Sequence, residues 1–80
     1  MKELILDGAQ GMDAIHSLLS EELRLPHWYG HNLDAMYDCL TDVSEDVRIT
    51  LTNRDALGLR GLALERLLQE AAAANPHIHL

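Results

Sequence analysis

The chain has 80 residues and carries thirteen acidic against six basic side chains, a formal net charge of −7. This length predicts one domain, residues 1–80, and so short a chain buries only about 60% of the surface that its unfolded form exposes. The negative charge argues against nucleic-acid binding, for which a basic surface is expected, and it favours a cationic partner.

The cysteine content and the apolar segments indicate the compartment. Cys39 is the only cysteine, which excludes an internal disulfide and is typical of a reducing compartment. The N-terminal segment lacks the apolar length of a secretory signal, and no window approaches the roughly 20 apolar residues of a membrane span. We therefore expect a soluble, cytoplasmic protein that does not bind membranes.

The first predicted elements are a strand and a helix. The apolar run Leu4-Ile5-Leu6 precedes the turn signal Asp7-Gly8. Because a continuous apolar run suits a strand covered on both faces, we predict that this strand lies in the centre of a sheet. A helix is predicted from about Met12 to Leu23, with an apolar stripe formed by Ile15, Leu18, Leu19 and Leu23.

A loop with two aromatic residues, Pro26 to His31, separates this helix from a second one. Pro26 ends the first helix, and Gly30 is predicted to supply a backbone conformation that a residue with a Cβ would resist. Asn32 is a good N-cap for the second helix.

The second helix has two different faces. Its predicted core stripe is formed by Leu33, Met36, Tyr37 and Leu40. Asp34, Asp38 and Thr41 form a second stripe, with Ala35 at its edge. The i+4 spacing of the two aspartates costs an isolated helix about 0.2–0.5 kcal/mol through repulsion.

The second half of the chain predicts two further strands around a helix. Strict alternation from Val47 to Thr52 indicates a strand with one wetted face, which we assign to a sheet edge. Asn53 to Gly61 predicts a turn or short irregular helix, and a long helix follows from Gly61 or Leu62 to Ala74. His77 to Leu80 predicts a short closing strand.

This order of elements predicts the fold class. Strands that are separated by helical crossovers pair in parallel. We therefore expect an α/β fold with a small three-stranded parallel sheet, the first strand in the middle, and three to four helices.

The candidate site residues have several interpretations. Trp28 and Tyr29 either serve the core or stay partly exposed as interface anchors, since both residue types are enriched in binding hot spots. Asp34 and Asp38 form a solvated helix face, a catalytic or metal-binding pair, or a mimic of phosphates that a basic active site would bind. The chain lacks the usual catalytic, phosphate-loop and zinc motifs, so we predict no enzyme activity, no cofactor and no metal.

The stretch Leu25 to Thr41, LPHWYGHNLDAMYDCLT, resembles the barstar family of ribonuclease inhibitors. It matches the signature run L-P-x-x-Y-G-x-N-L-D-A-x-x-D-C-L-T without gaps, and a weaker similarity extends along the chain. Trp28 replaces the more usual tyrosine. His27 and His31 lie where the family can be acidic, and when protonated they would partly neutralise the acidic surface.

The resemblance implies a barstar-like fold and inhibition of a ribonuclease by blocking its active site. Asp38 would enter the phosphate-binding centre of the enzyme, and Asp34 would pair with a nearby basic group. The partner-binding residues that the resemblance implies are Trp28, Tyr29, Gly30, Asn32, Asp34, Ala35, Asp38, Thr41 and Glu70.

Two functions therefore stay open. The first is a monomeric inhibitor in toxin immunity, whose partner is a basic extracellular or toxin ribonuclease and which mimics RNA phosphates with an acidic helix and an aromatic loop. The alternative is a non-inhibitory protein-binding module of the same fold, with a partner that is not a nuclease.

Overall fold

The computed structural model describes residues 1–26 and 29–80, and His27 and Trp28 lie outside these ranges. The described chain forms three strands, β1 (Lys2–Asp7), β2 (Val47–Thr52) and β3 (Ile78–His79), and three α-helices, α1 (Met12–Glu22), α2 (Leu33–Thr41) and α3 (Leu59–Ala74). Short 3-10 helices, Gly8–Gln10 and Arg54–Leu57, follow β1 and β2. Both strand pairs are parallel, which confirms the predicted α/β class.

The strand order differs from the prediction. The order is β1-β2-β3, so the expectations that the first strand lies in the middle and that Val47 to Thr52 forms an edge are wrong. One face of the sheet is covered and the other is open: Leu4 and Leu6 are buried, whereas Ile5 between them is 62% exposed. Alternation along β2 therefore reflects the two faces of the sheet and not an edge position.

A single hydrophobic core fills the space between the covered face of the sheet and the helices. Each fully buried aliphatic side chain contributes roughly 1.5–3 kcal/mol relative to exposure. The predicted inner stripe of α2 is confirmed, because Met36 and Leu40 are fully buried and Leu33 and Tyr37 pack partly buried against the core. This stripe fixes the rotation of α2 about its own axis.

The helix α3 begins earlier than the predicted Gly61 or Leu62. Gly58, with φ of 62°, makes the turn that precedes the helix at Leu59. Gly61 lies inside the helix and is buried where a Cβ would collide with the carbonyl oxygen of Arg54. This glycine thus permits close packing of α3 on the preceding 3-10 helix. Within the described ranges, no helix is long and apolar enough to cross a bilayer.

The side chain of Asn75 joins the end of α3 to the end of α2. Asn75 is 4% exposed, and its Nδ2 donates to the carbonyl oxygens of Leu40 and Val43, both at 2.9 Å. Its Oδ1 accepts from the backbone nitrogen of His77 at 3.0 Å. One buried amide therefore hydrogen-bonds to carbonyls at and just beyond the end of α2, where intrahelical donors become scarce.

A cluster of polar side chains holds the short strand β3. Val47 donates its backbone nitrogen to the carbonyl oxygen of His77 at 2.9 Å. The Oδ1 atom of Asp46 lies 3.2 Å from Nδ1 of His77 and 3.3 Å from Nε2 of His79. Hydrogen bonds from these two imidazoles lower the pKa of Asp46. The predicted closing strand is confirmed at its centre, Ile78–His79.

We predict that Asn75→Ala lowers the free energy of unfolding by about 2 kcal/mol, because it removes the side-chain donor that the carbonyls of Leu40 and Val43 share at the end of α2. Asn75→Asp has nearly the same shape but places an oxygen against both carbonyls, so it should destabilise the protein at least as much. Urea unfolding measures both effects, with the exposed Gln69→Ala as control. A stable Asn75→Asp variant would contradict the assignment.

Candidate protein-binding site

The helix α2 starts at the predicted cap. Asn32 has an extended backbone with φ of −130°, and its Oδ1 accepts from the backbone nitrogen of Ala35 at 2.8 Å. Asp34 lies in the first turn, where its charge interacts favourably with the helix dipole. The predicted N-cap is therefore confirmed, and it fixes the first turn beside the loop.

The carboxylates of Asp34 and Asp38 face solvent from α2. Among residues 1–26 and 29–80, no nitrogen of a basic side chain lies within 4.0 Å of either carboxylate. Thr41 is partly buried, and its hydroxyl donates to the carbonyl oxygen of Asp38 at 2.9 Å. Both charges thus remain available to a cation from outside.

A groove of about 490 Å³ lies between α2 and α3, and we call it the acidic groove. Carboxylates stand on both of its sides, Asp34 and Asp38 from α2 and Glu70 from α3. Glu70 also lies 3.8 Å from the guanidinium of Arg66, one turn away, and both side chains are largely exposed. The full lining is Leu33, Asp34, Tyr37, Asp38, Ala63, Arg66, Leu67 and Glu70. The lining of the groove therefore combines three carboxylates and one guanidinium with apolar and aromatic side chains.

Tyr29 is buried, with 7% of its surface exposed, so of its two interpretations the core residue is correct and the partly exposed anchor is wrong. Its hydroxyl makes a hydrogen bond with Nδ1 of His16, which lies on α1. Burial raises the pKa of Tyr29 to about 12, and the nearby Cys39 thiol acts in the same direction. The ring therefore anchors the loop to the core. The prediction for its neighbour Trp28 falls outside the described residues.

The strained backbone position in the loop belongs to His31 and not to Gly30. His31 has a φ of 44°, in the left-handed region, and Gly30 has no such angle. A Cβ at Gly30 would instead lie 3.0 Å from Nδ2 of Asn32. That amide donates to the carbonyl oxygen of Gly30 at 3.2 Å. The glycine thus leaves room for the capping side chain, and the predicted reason for it is wrong.

The sequence interpretation missed His16, which is 3% exposed. His16 belongs to the inner face of α1 with Met12, Ile15 and Leu19, at the i, i+3, i+4, i+7 spacing of a helical stripe. That spacing was a usable signal for a buried histidine. Burial lowers the pKa of His16, His31 acts in the same direction and Asp13 opposes the shift.

The predicted site residues fall into separate groups. The acidic groove brings together Asp34, Asp38 and Glu70. Asn32 instead borders a smaller cavity of about 180 Å³ at the start of α2. Gly30 is exposed beside that cap, and Ala35 is partly buried against the core.

Two findings among the described residues concern metal binding and thiol chemistry. Among them, no three histidine, cysteine or acidic side chains converge to hold a metal ion. Cys39 is a buried free thiol whose pKa is raised by burial and by the nearby charges of Asp38 and Asp42. The thiol form is therefore favoured over the reactive thiolate.

The fold and the acidic groove define a small α/β protein whose surface chemistry suits a cationic partner. The model of the family described as “Barstar (barnase inhibitor)” matches residues 1–75, and the chain belongs to this family. The chain is also 42% identical over 43 residues to a Bacillus subtilis (strain 168) protein named “Putative ribonuclease inhibitor YrdF”. That alignment covers 51% of this chain and 47% of the relative, about half of its length.

We predict that protein stability declines as the pH falls below about 6.5, the usual pKa of histidine. In that range the unfolded chain binds a proton at His16 that the folded chain excludes, so acidification lowers the free energy of unfolding. The decline should end near the lower folded pKa of His16.

The variant His16→Asn keeps an amide oxygen near the position of Nδ1 and does not titrate. Its stability should therefore depend less on pH between about 6.5 and 5 than that of the wild type. Urea midpoints along a pH series give the comparison, and the difference between the two proteins removes the contribution of the remaining histidines. Parallel pH profiles for the two proteins would contradict the prediction.

Proposed function

We propose that this protein inhibits a basic ribonuclease by blocking its active site with the acidic groove and the loop before α2. The carboxylates of Asp34 and Asp38 take the places of RNA phosphates among the basic side chains of the enzyme. The observation that carries the proposal is their position on a helix fixed by the core, without a close basic partner among the described residues. Family membership and the name of the Bacillus subtilis relative point in the same direction.

Each implied site residue has a distinct role in this proposal. Asp38 makes the central contact with the phosphate-binding groups, and Asp34 and Glu70 bind neighbouring cations. Charge-assisted hydrogen bonds of this kind are about twice as strong as those between neutral groups. Asn32 and Tyr29 position the loop and the helix, while Trp28, Gly30, Ala35 and Thr41 complete the contact surface.

The proposed setting is toxin immunity in the cytoplasm, where the inhibitor would protect its own cell from the nuclease. Cys39 as a buried free thiol is compatible with a reducing compartment. We propose that the free protein is a monomer and forms a complex with one nuclease molecule. Its role is to occlude an active site, and it contributes no catalytic group.

The direct test mixes the purified protein with barnase and follows cleavage of a fluorogenic RNA. Inhibition at a one-to-one ratio supports the proposal, and light scattering of the mixture gives the stoichiometry. Binding without inhibition would favour a non-inhibitory binding module. If neither barnase nor other basic bacterial ribonucleases bind, the proposed function is wrong.

We predict that Asp38→Ala weakens binding to the inhibited ribonuclease by more than about 2 kcal/mol, because the cationic site of the enzyme is then buried without a counter-charge. The fold should stay intact or become slightly more stable, since repulsion with Asp34 is removed. Titration calorimetry measures the first effect and thermal unfolding the second.

The control for this experiment is Glu3→Ala, which removes the same charge from the open face of the sheet. Its affinity should stay close to that of the wild type, because Glu3 lies on the face opposite the helices. Equal losses in Glu3→Ala and Asp38→Ala would mean that net charge and not the acidic groove determines binding.

We also predict that salt slows association more than it speeds dissociation. Raising NaCl from about 50 mM to 500 mM shortens the Debye length from roughly 14 Å to 4 Å, which removes long-range steering. The association rate constant should fall at least about tenfold. Stopped-flow mixing provides the rates, and a salt-independent association rate would contradict electrostatic steering.

A further inference from the structure

Three rings form a cluster beneath the loop that leads into α2. The imidazoles of His16 and His31 are stacked, with ring centroids 5.2 Å apart and an angle of 18° between the planes. The Tyr29 ring lies 5.5 Å from His16 and 5.6 Å from His31. His16 is buried and His31 is exposed, so the cluster connects the core to the surface.

The hydrogen bond inside the cluster depends on protonation. When His16 is neutral with its proton on Nε2, its Nδ1 accepts from the Tyr29 hydroxyl. A protonated His16 carries a hydrogen on Nδ1, so the hydroxyl must turn away and accept instead. Protonation of His31 as well would place two positive rings face to face. The arrangement therefore accepts one positive charge more readily than two.

The charged and titratable neighbours of the cluster come from each helix around it. Asp13 on α1 favours the protonated form of His16. Arg60 on α3 lines the same cavity as both histidines. Cys39 on α2 acts on the Tyr29 hydroxyl and is kept in the thiol form by burial. The neighbours of His16 thus include one carboxylate, one guanidinium and a second imidazole.

The position of the His31 ring is coupled to the start of α2. The backbone of His31 adopts a left-handed φ of 44°, which places its ring back over α1. The next residue, Asn32, caps α2 and also holds the carbonyl oxygen of Gly30. A non-glycine residue keeps such a conformation only when its surroundings hold it there. Loss of the ring stack would therefore relax the loop and the first turn of the helix.

We propose that His16 and His31 form a proton-sensitive switch that holds residues 29–32 before α2 in place at neutral pH and releases them on acidification. The inference deepens the proposed function, on which its consequence for binding rests, because this segment leads directly into the first turn of α2, which carries Asp34 of the acidic groove. Release would disorder part of the contact surface and add positive charge to it. Both effects weaken the hold on a cationic partner at low pH. His16 and His31 are thus positioning residues, and protonation of His16 regulates the surface.

The proton-sensitive switch is tested first without any partner. NMR titration of the histidine Cε1 protons gives the pKa of each ring, and amide shifts of Asn32 and Ala35 report on the helix cap. The fluorescence of Trp28, the one tryptophan of the chain, reports on the loop. We expect the cap shifts and the fluorescence to follow the titration of His16. In His16→Asn this shared transition should disappear, while circular dichroism verifies folding.

His31→Gln provides a second test at an exposed position, where folding is not at risk. Removing the stacked imidazole should raise the pKa of His16, because the charge of His31 opposes its protonation. An unchanged pKa of His16 in this variant would overturn the proposal. The proposal would also be overturned if the amide shifts of Asn32 and Ala35 stayed constant while His16 titrates. A change in fluorescence that persists in His16→Asn would have the same meaning.

The consequence for binding is tested with barnase at about pH 7.5 and 5.5. The affinity of the wild type should fall at least about threefold more between these values than that of His16→Asn. Protonation of the nuclease itself affects both proteins equally and cancels in the ratio. If barnase does not bind at either pH, the proposed function fails with this enzyme. The NMR and fluorescence titrations still show whether the proton-sensitive switch exists.

Discussion

The covered face of the sheet is the constraint on which the rest of the molecule depends. Leu4, Leu6, Val47 and Ile49 point to this face, and the helices turn their apolar stripes toward it. A chain of this size has no second core to stabilise a different arrangement. The inward stripe of α2 therefore also determines which carboxylates point outward. The acidic surface gains its rigidity from the packing of Met36 and Leu40 beneath it.

In the proposed function, residues 29–32 before α2 are held ready for a partner in the same way. The sequence left open whether Tyr29 serves the core or stays partly exposed, and the structure shows it buried and hydrogen-bonded to His16. A loop that is ordered during folding loses less entropy when a partner arrives. The left-handed His31 and the capping Asn32 hold the other end of this segment. Affinity at such a surface thus depends on buried residues that a partner does not contact.

Local patterns predicted much of this structure, and long-range contacts account for most of the errors. The inner stripe of α2 and its cap at Asn32 follow from spacing within a few residues, so the sequence was sufficient for them. The edge position of β1 could not be predicted in the same way, because the continuous apolar run Leu4-Ile5-Leu6 does not indicate that Ile5 is exposed. Burial of Tyr29 requires His16, thirteen positions earlier on another element. The groove itself was not predicted: the pattern of α2 gave Asp34 and Asp38, and Glu70 on the opposite side entered only through the family resemblance.

The amide of Asn75 has a consequence for the order in which the protein matures. It completes the hydrogen bonding at the end of α2 although it lies 35 residues beyond Leu40. A ribosome that has produced only the first half of the chain therefore exposes an acidic helix without its final support. Non-local contacts of this kind form late. The nascent polypeptide thus acquires a fully supported acidic helix only after α3 and Asn75 have emerged.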